Sequence, residues 1–284
     1  MVCGGPIVFS WSANFNMKKL RPFIGPGVVF LLAAAATAAL PMLPFPWPGW
    51  RLASCYPGCF CEAFHSGGVV QPQSSYSNLF YILAGLLILG AGGLAGREPH
   101  SNLMTRRRRY IAGFGWAVVA IGITSLFFHV SLTRVGRWLD YMGMYAFTAY
   151  ALLYGLARLR RWNGAAFLTL YGLLLAELGV LWFVAPGYRR PLLGTLILGI
   201  VAVEAVAHRV RRPMRIRTRY LTAALGCFLA AYAINMLDEG GVICHPNGLL
   251  QWHAVWHFLT AASTMLLFLY YRSEDEGEVV KGCR

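Results

Sequence analysis

The stretch YIAGFGWAVVAIGITSLFFHVS, residues 110–131, decides what kind of protein this is. It holds no Asp, Glu, Lys or Arg, and a helix needs about 20 apolar residues to cross a bilayer. Four arginines, Arg106–Arg109, stand directly before it, and His129 lies within a turn of its other end. Outward from this run, seven more apolar stretches follow the same plan, near 23–43, 76–95, 135–157, 165–185, 191–208, 219–237 and 250–271. The composition agrees. The 284 residues are 57% hydrophobic and 13% charged, with mean hydropathy +0.54. A soluble domain carries about 25% charge. A water-soluble globule is therefore excluded, and so is a disordered chain. The reading is an all-α, polytopic membrane bundle with eight spans.

The net charge is +14, from 25 Lys and Arg against 11 Asp and Glu. The basic residues form short clusters between apolar runs, not a groove with interleaved aromatics, so the pattern points to no nucleic-acid partner. It reads as topology. With the N-terminus cytoplasmic, 20 of the 25 fall on inner segments, among them Lys18, Lys19, Arg21, Arg97 and Arg106–Arg109. The outer segments hold Arg51, Arg134, Arg137, Arg189 and Arg190. Removing any one span would scramble this alternation. The first run differs from the others: Lys18, Lys19 and Arg21 precede an Ala-rich core, and a Pro-rich exit follows from Pro41 to Pro48. It reads as a retained signal anchor in preference to a cleaved signal peptide. The expected organisation is an N-terminal anchor and linker over 1–50, a membrane domain over 51–272 and a short cytoplasmic tail over 273–284.

Ionisable groups cost about 2.5–3.5 kcal/mol each in a bilayer on insertion scales. Six lie within or at the ends of the spans: His129, Asp140, Glu177, Glu204, His253 and His257. Glu204, near His208 and Arg209, reads as a paired or snorkelling end residue. Glu177 is mid-span, and packing and a polar pocket are equal readings. The other four converge. The alternating topology brings His129, Asp140, His253 and His257 to one depth, near the outer boundary.

Local spacing sharpens this. His253 and His257 stand four apart on one helical face, the spacing with which a helix offers two nitrogens to one zinc. Ser125 stands one turn below His129. Three His ligands and one open position make a catalytic-type zinc site. Hydrogen-bonded core histidines are the plain alternative for the pair alone. Haem held by two facing helices is a further one, though i,i+4 histidines suit one small metal better. The segment lacks the Glu of an HExxH motif, so a hydrolase would need its proton acceptor from another helix, and Asp140 is the candidate.

These residues, Ser125, His129, Asp140, His253 and His257, with Cys61-Glu62 and Ser77-Asn78-Leu79, resemble the alkaline ceramidase family over about residues 55–272. That family sits within a superfamily of seven-helix membrane hydrolases that also contains progestin/adiponectin-type receptors and GPI-anchor remodelling lipases. The resemblance implies a seven-helix core with the first span as an extra. It implies zinc on His129, His253 and His257, and hydrolysis of a membrane-lipid amide. Zinc brings bound water's pKa to about 7, Asp140 then serves as base and acid, and Ser125 donates to the water or oxyanion, with back-bonding to a helix carbonyl as its plain alternative.

The resemblance also implies a calcium site through Glu62. Here Cys59, Phe60, Phe64 and Gln71 replace most of its acids, which argues against tight calcium binding. An ester hydrolase of GPI or phospholipid remodelling, and a receptor-like protein with structural zinc, stay as alternatives. No protein partner can be inferred. Four cysteines, Cys55, Cys59, Cys61 and Cys244, fall on the outer side, where disulfides persist. Four cysteines allow three pairings, and a metal site in this cluster is a further option. The resemblance favours Cys61 with Cys244, leaving Cys55 with Cys59. Cys3 and Cys283 fall on the inner side and Cys227 inside a span.

Overall fold

The computed structural model describes residues 17–42, 51–55, 59–95, 102–160, 162–210 and 215–275. Cys3, Cys283, Arg97, Arg161, Arg211, Arg212, the linker after residue 42 and the tail beyond 275 lie outside the described residues. Ten α-helices appear among the described residues: α1 (Met17–Ala39), α2 (Pro72–Tyr76), α3 (Leu79–Ala95), α4 (Leu103–Arg106), α5 (Arg108–Ser131), α6 (Arg134–Arg160), α7 (Gly164–Val184), α8 (Arg189–Val210), α9 (Thr218–Glu239) and α10 (Trp252–Arg272). No sheet is present among these residues. Two isolated bridges, Leu52 with Thr133 and Arg215 with Asp275, are the only extended pairings.

Seven helical segments are long and apolar enough to cross a membrane, one of them near the N-terminus. The sequence led to eight. The difference is α6, which has 27 residues but carries Arg134, Arg137, Asp140, Arg158 and Arg160 along its length. Its charges serve the two ends of the bundle, as shown below, at the expense of its hydropathy.

The helices assemble around α5, which packs on α3 and α6; α10 packs on α9 and α3, and α8 on α6. Small residues set the closest crossing. A Cβ on Gly85 of α3 would lie 2.6 Å from the Gly115 carbonyl oxygen of α5, so the two backbones meet directly. In a membrane, where apolar solvent offers helices no hydrophobic drive to associate, such close packing supplies the attraction. Helix α1 rests on α3, with Pro22 against Gly93, and most of the rest of it faces outward. Glu177 is exposed on α7, so it lies in neither a packed core nor a polar pocket.

The last carbonyls of a helix have no partner within it. At the end of α5 they are taken by chain from before the bundle. Val70 and Gln71 donate their backbone N–H to the carbonyls of Val130 and His129, and Ala53 donates to that of Leu132. Leu132 itself adopts φ 42°, a left-handed conformation unusual for a branched apolar residue. The Gly136 N–H donates to the Thr133 hydroxyl, starting α6 at once. This two-residue turn brings His129 and Asp140 to the same end of the bundle.

The opposite end closes on a buried ion cluster. Arg158 of α6 donates to both carboxylate oxygens of Glu204 at 2.7 and 2.9 Å and to Glu274 at 2.8 Å. Tyr270 donates to Glu204, and His208 lies 2.9 Å from the same phenol oxygen. Asn102 caps α4 and also donates to the carbonyls of Arg272 and Glu274. Glu204 is thus a paired end residue. Removing the cation from such a cluster leaves carboxylates buried without compensation. Arg158→Ala is expected to cost about 3–5 kcal/mol, read as a large fall in the thermal unfolding midpoint of detergent-solubilised protein. Arg217→Ala, on an exposed side chain, should leave that midpoint nearly unchanged.

Candidate metal centre

His129 closes α5, and His253 and His257 open α10. Their ligand atoms lie within 4.8 Å of one another, and all three side chains are buried. Among the described residues they form the one group of three or more His, Cys, Asp or Glu close enough to share a metal. The same four-residue spacing that put two imidazoles on one helical face leaves their ring centroids 4.6 Å apart.

Each ring is held by a different neutral side chain. His129 Nδ1 meets Gln71 Oε1 at 2.9 Å, His253 Nδ1 meets Asn235 Oδ1 at 2.8 Å, and His257 Nδ1 meets Ser77 Oγ at 2.7 Å. The surrounding bonds assign the protons. The Asn235 amide nitrogen donates to Glu239, so its oxygen faces His253 and must accept. The Ser77 hydroxyl donates to the Ser74 carbonyl, so its oxygen accepts from His257. Nδ1 of His253 and of His257 therefore carries a proton, which leaves Nε2 as the ligating nitrogen of the neutral ring. That is the tautomer a metal-ligating imidazole needs, fixed by its outer partner. The donor set fits a zinc-type centre with a position left for water or substrate.

Gln71 reaches His129 twice, through its backbone N–H to the His129 carbonyl and through its side chain to the ring. Its register comes from Glu62, whose carboxylate accepts from the backbone N–H groups of Gln73 and Ser74 at 2.7 and 2.9 Å. An anion at a helix N-terminus is favourable, and it satisfies donors that would otherwise be orphaned. Glu62, considered from the sequence as a calcium ligand, is therefore engaged in the start of α2. Gln73 and Gln251 stitch the same segment to the loop before α10, through Gln73 Nε2 to the Gly248 carbonyl and the Gln251 N–H to Gln73 Oε1. Disulfides join Cys61 to Cys244 and Cys55 to Cys59. Between these bridges Phe60 stacks on His253, with centroids 3.8 Å apart, and covers the imidazoles. Cys227 is a free thiol on α9.

A cavity of about 680 Å³ opens beside the imidazoles, lined by His253, His257, Ser125 and Asp140 at one end. Ser125 is buried and its side chain hydrogen-bonds Asp140; the back-bonding to a helix carbonyl belongs to its neighbour Thr124. Arg137, Tyr141, Arg190 and Glu239 surround the mouth. Farther in, the walls from α8 and α9 are apolar, including Ile197, Val201, Leu225 and Phe228. A smaller pocket of about 110 Å³ shares several of these residues and reaches Ile200 and Leu267. Leu267 stands about 21 Å of helix from His253. The whole is a long apolar slot with a polar head.

Sequence reasoning identified the three imidazoles, Asp140 and Ser125, and the structure brings all five to this head. It missed Asn235 altogether and assigned Gln71 no role. An uncharged amide in no periodic pattern carries no signal in a single sequence. Fold and site together define a multi-pass, all-helical membrane protein with a buried three-histidine centre facing a lipid-sized slot. The chain belongs to the ceramidase family: the family model described as Ceramidase matches residues 60–279, from Phe60 through α10 and without α1. No curated protein matches the chain.

If the neutral partners hold the imidazoles, their loss must weaken the metal before anything else. Gln71→Leu and Asn235→Leu are each expected to lower zinc affinity by about 10–100-fold, measured by competition with a chelator. An unchanged affinity in both would show that the rings are held by packing alone.

Proposed function

We infer that this protein is a zinc-dependent lipid amidohydrolase that cleaves ceramide or a related N-acyl lipid into a fatty acid and an amine. One observation carries the reading. Three buried imidazoles share the head of an apolar slot with a carboxylate–hydroxyl pair, Asp140 and Ser125. Family membership supplies the lipid-amide context.

His129, His253 and His257 would hold a zinc ion, which would supply Lewis acidity at the head of the slot. The slot takes the acyl chain and sets the amide carbonyl beside the imidazoles. Asp140 takes a proton from the attacking water. The water oxygen bonds to the carbonyl carbon, the C–N bond breaks, and Asp140 returns the proton to the departing nitrogen. The oxygen leaves in the fatty acid and the nitrogen in the amine. Ser125 holds the ionised Asp140 by donating to it. Once Asp140 is protonated that bond can reverse, freeing the Ser125 hydrogen for the developing oxyanion. Phe60 and the wall of α8 and α9 keep bulk water from the reaction.

The membrane arrangement belongs to the same reading. Helix α6 crosses as an eighth span between α5, α7 and α8, with Arg158 paired in the ion cluster at one end and Arg137 and Asp140 at the cavity at the other. The core over 51–272 then has seven spans, with α1 an added anchor in 1–50 and a cytoplasmic tail over 273–284. The excess of Lys and Arg at the Arg158 end sets that end inside, with the imidazoles toward the outer face. In a background without Cys3, Cys227 and Cys283, an impermeant thiol reagent on intact cells should label a cysteine at Leu249 and leave one at Arg107 unlabelled. The reverse pattern would invert the orientation.

The catalytic assignment separates ligands from the base. His129→Ala, His253→Ala and His257→Ala should each lose bound zinc and lipid-amide hydrolysis together. Asp140→Asn keeps nearly the same shape but cannot accept a proton, so zinc should stay while turnover falls by about 10²–10⁴. Metal analysis and fatty-acid release from a ceramide give the two readouts. Full zinc occupancy without release from any amide or ester lipid would replace the hydrolase with a receptor-like protein.

A further inference from the structure

The outer side of this bundle is poor in cations, yet those it has are gathered. Of 25 Lys and Arg, the outer segments hold Arg51, Arg134, Arg137, Arg189 and Arg190. Arg137 and Arg190 line the cavity itself. Arg189 lies in the electrostatic field of both Arg137 and Arg134. The Arg51 carbonyl accepts from the Arg134 backbone N–H at 2.8 Å. Five like charges drawn from three segments repel one another unless something negative completes them.

The protein answers only part of this charge. Arg190 is paired with Glu239 at 2.7 Å, in a bond that spans from α8 to α9 across the mouth. Its side chain is still 57% exposed. Arg137 donates to the Ser54 hydroxyl at 2.9 Å and makes no ion pair among the described residues. Asp140, one turn along α6, is an acid acting on it, and the proposed reaction needs that carboxylate for proton transfer. The planar guanidinium of Arg137, with donors to spare, therefore faces a cavity whose deeper walls are apolar. A guanidinium so placed suits an oxyanion with which it can share two hydrogen bonds.

We propose that the cavity mouth is a subsite for an anionic group, a phosphate, sulfonate or carboxylate, on the amine half of the N-acyl lipid, with Arg137 its main contact. Arg190 is its second contact when it exchanges Glu239 for the ligand. This rests on the hydrolase reading and narrows its substrate class. The slot orders the molecule: the acyl chain inward toward Leu267, the amide beside His253 and His257, the charged headgroup at the level of the arginines.

The test uses a matched pair, a ceramide and the same ceramide phosphorylated on its primary hydroxyl, in vesicles of zwitterionic lipid, with full-length zinc-loaded protein. The phosphorylated lipid should have the higher kcat/KM by about tenfold, the worth of one charge-assisted hydrogen bond, carried mainly by KM. Arg137→Gln should bring the ratio of the two substrates close to one, and Arg137→Lys should restore part of it. An effect of Arg137 through Asp140 would lower both substrates alike and leave the ratio in place, which would overturn the subsite. So would a wild-type preference for the neutral lipid. Inorganic phosphate that inhibits at micromolar concentration would make a free anion the ligand and overturn the lipid assignment.

If neither lipid is cleaved, the hydrolase reading fails and binding decides the subsite separately. Stronger retention of the phosphorylated lipid, lost in Arg137→Gln, would support it, and equal retention of both would overturn it.

Discussion

Three uncharged imidazoles share a space under 4.8 Å across, buried at the end of a membrane bundle, and the rest of the architecture follows from holding them there. No single helix can do this. α5 delivers one ring at its C-terminal end and α10 delivers two in its first turns. Each helix end leaves backbone groups unsatisfied in a poorly solvated region. The chain before the bundle solves both problems together. The same N–H of Gln71 that satisfies the His129 carbonyl fixes the side chain that orients the His129 ring. Glu62 fixes α2, α2 positions Ser77, and Ser77 orients His257. The disulfide from Cys61 to Cys244 then ties this segment to the loop that begins α10.

How much of this was legible in the sequence depended on whether a residue belonged to a period. His253 and His257 announce themselves by helical spacing. His129 and Asp140 are found by counting spans, because charge in an apolar run is conspicuous and topology sets its depth. Gln71 and Asn235 violate no pattern: one stands in an irregular segment and the other near a helix end, where polar residues are ordinary. Their roles are three-dimensional, fifty-eight residues from His129 for one and eighteen from His253 for the other. The resemblance placed an acid at Gln71 and found none, and an uncharged amide there suits an imidazole better than a calcium ion. Hydropathy also sets α6 apart from the seven candidate spans. Arg158 joins the ion cluster at one end and Arg137 and Asp140 line the cavity at the other, and a composition average has no means of registering direction.

The two ends handle charge in opposite ways. At the closed end, Arg158, Glu204 and Glu274 pair off in contact with one another. Such clusters contribute little net stability against an apolar alternative, but they are costly to break. Their effect is to lock α6, α8 and the segment after α10 in one register. At the open end the charged groups are held apart: Asp140 by a serine, Arg137 by a serine, and only Arg190 and Glu239 in contact.

That difference bears on the chemistry. A ligating histidine is commonly backed by a carboxylate, which pushes electron density toward the metal. Here the partners are a glutamine, an asparagine and a serine, none of them charged. A metal ion held by these three rings would keep nearly all of its charge, and would supply Lewis acidity toward water or a carbonyl. Asp140, which lines the same cavity as His253 and His257, does not belong to the imidazole cluster, and the cavity's other carboxylate, Glu239, is paired with Arg190. An acid that joined the ligands would neutralise the ion and lose its freedom to carry a proton. Asp140 stands on α6, a separate helix, and lines the same cavity as His253 and His257. Three imidazoles on α5 and α10 and one carboxylate on α6 thus meet in a single small polar head at the end of an apolar slot.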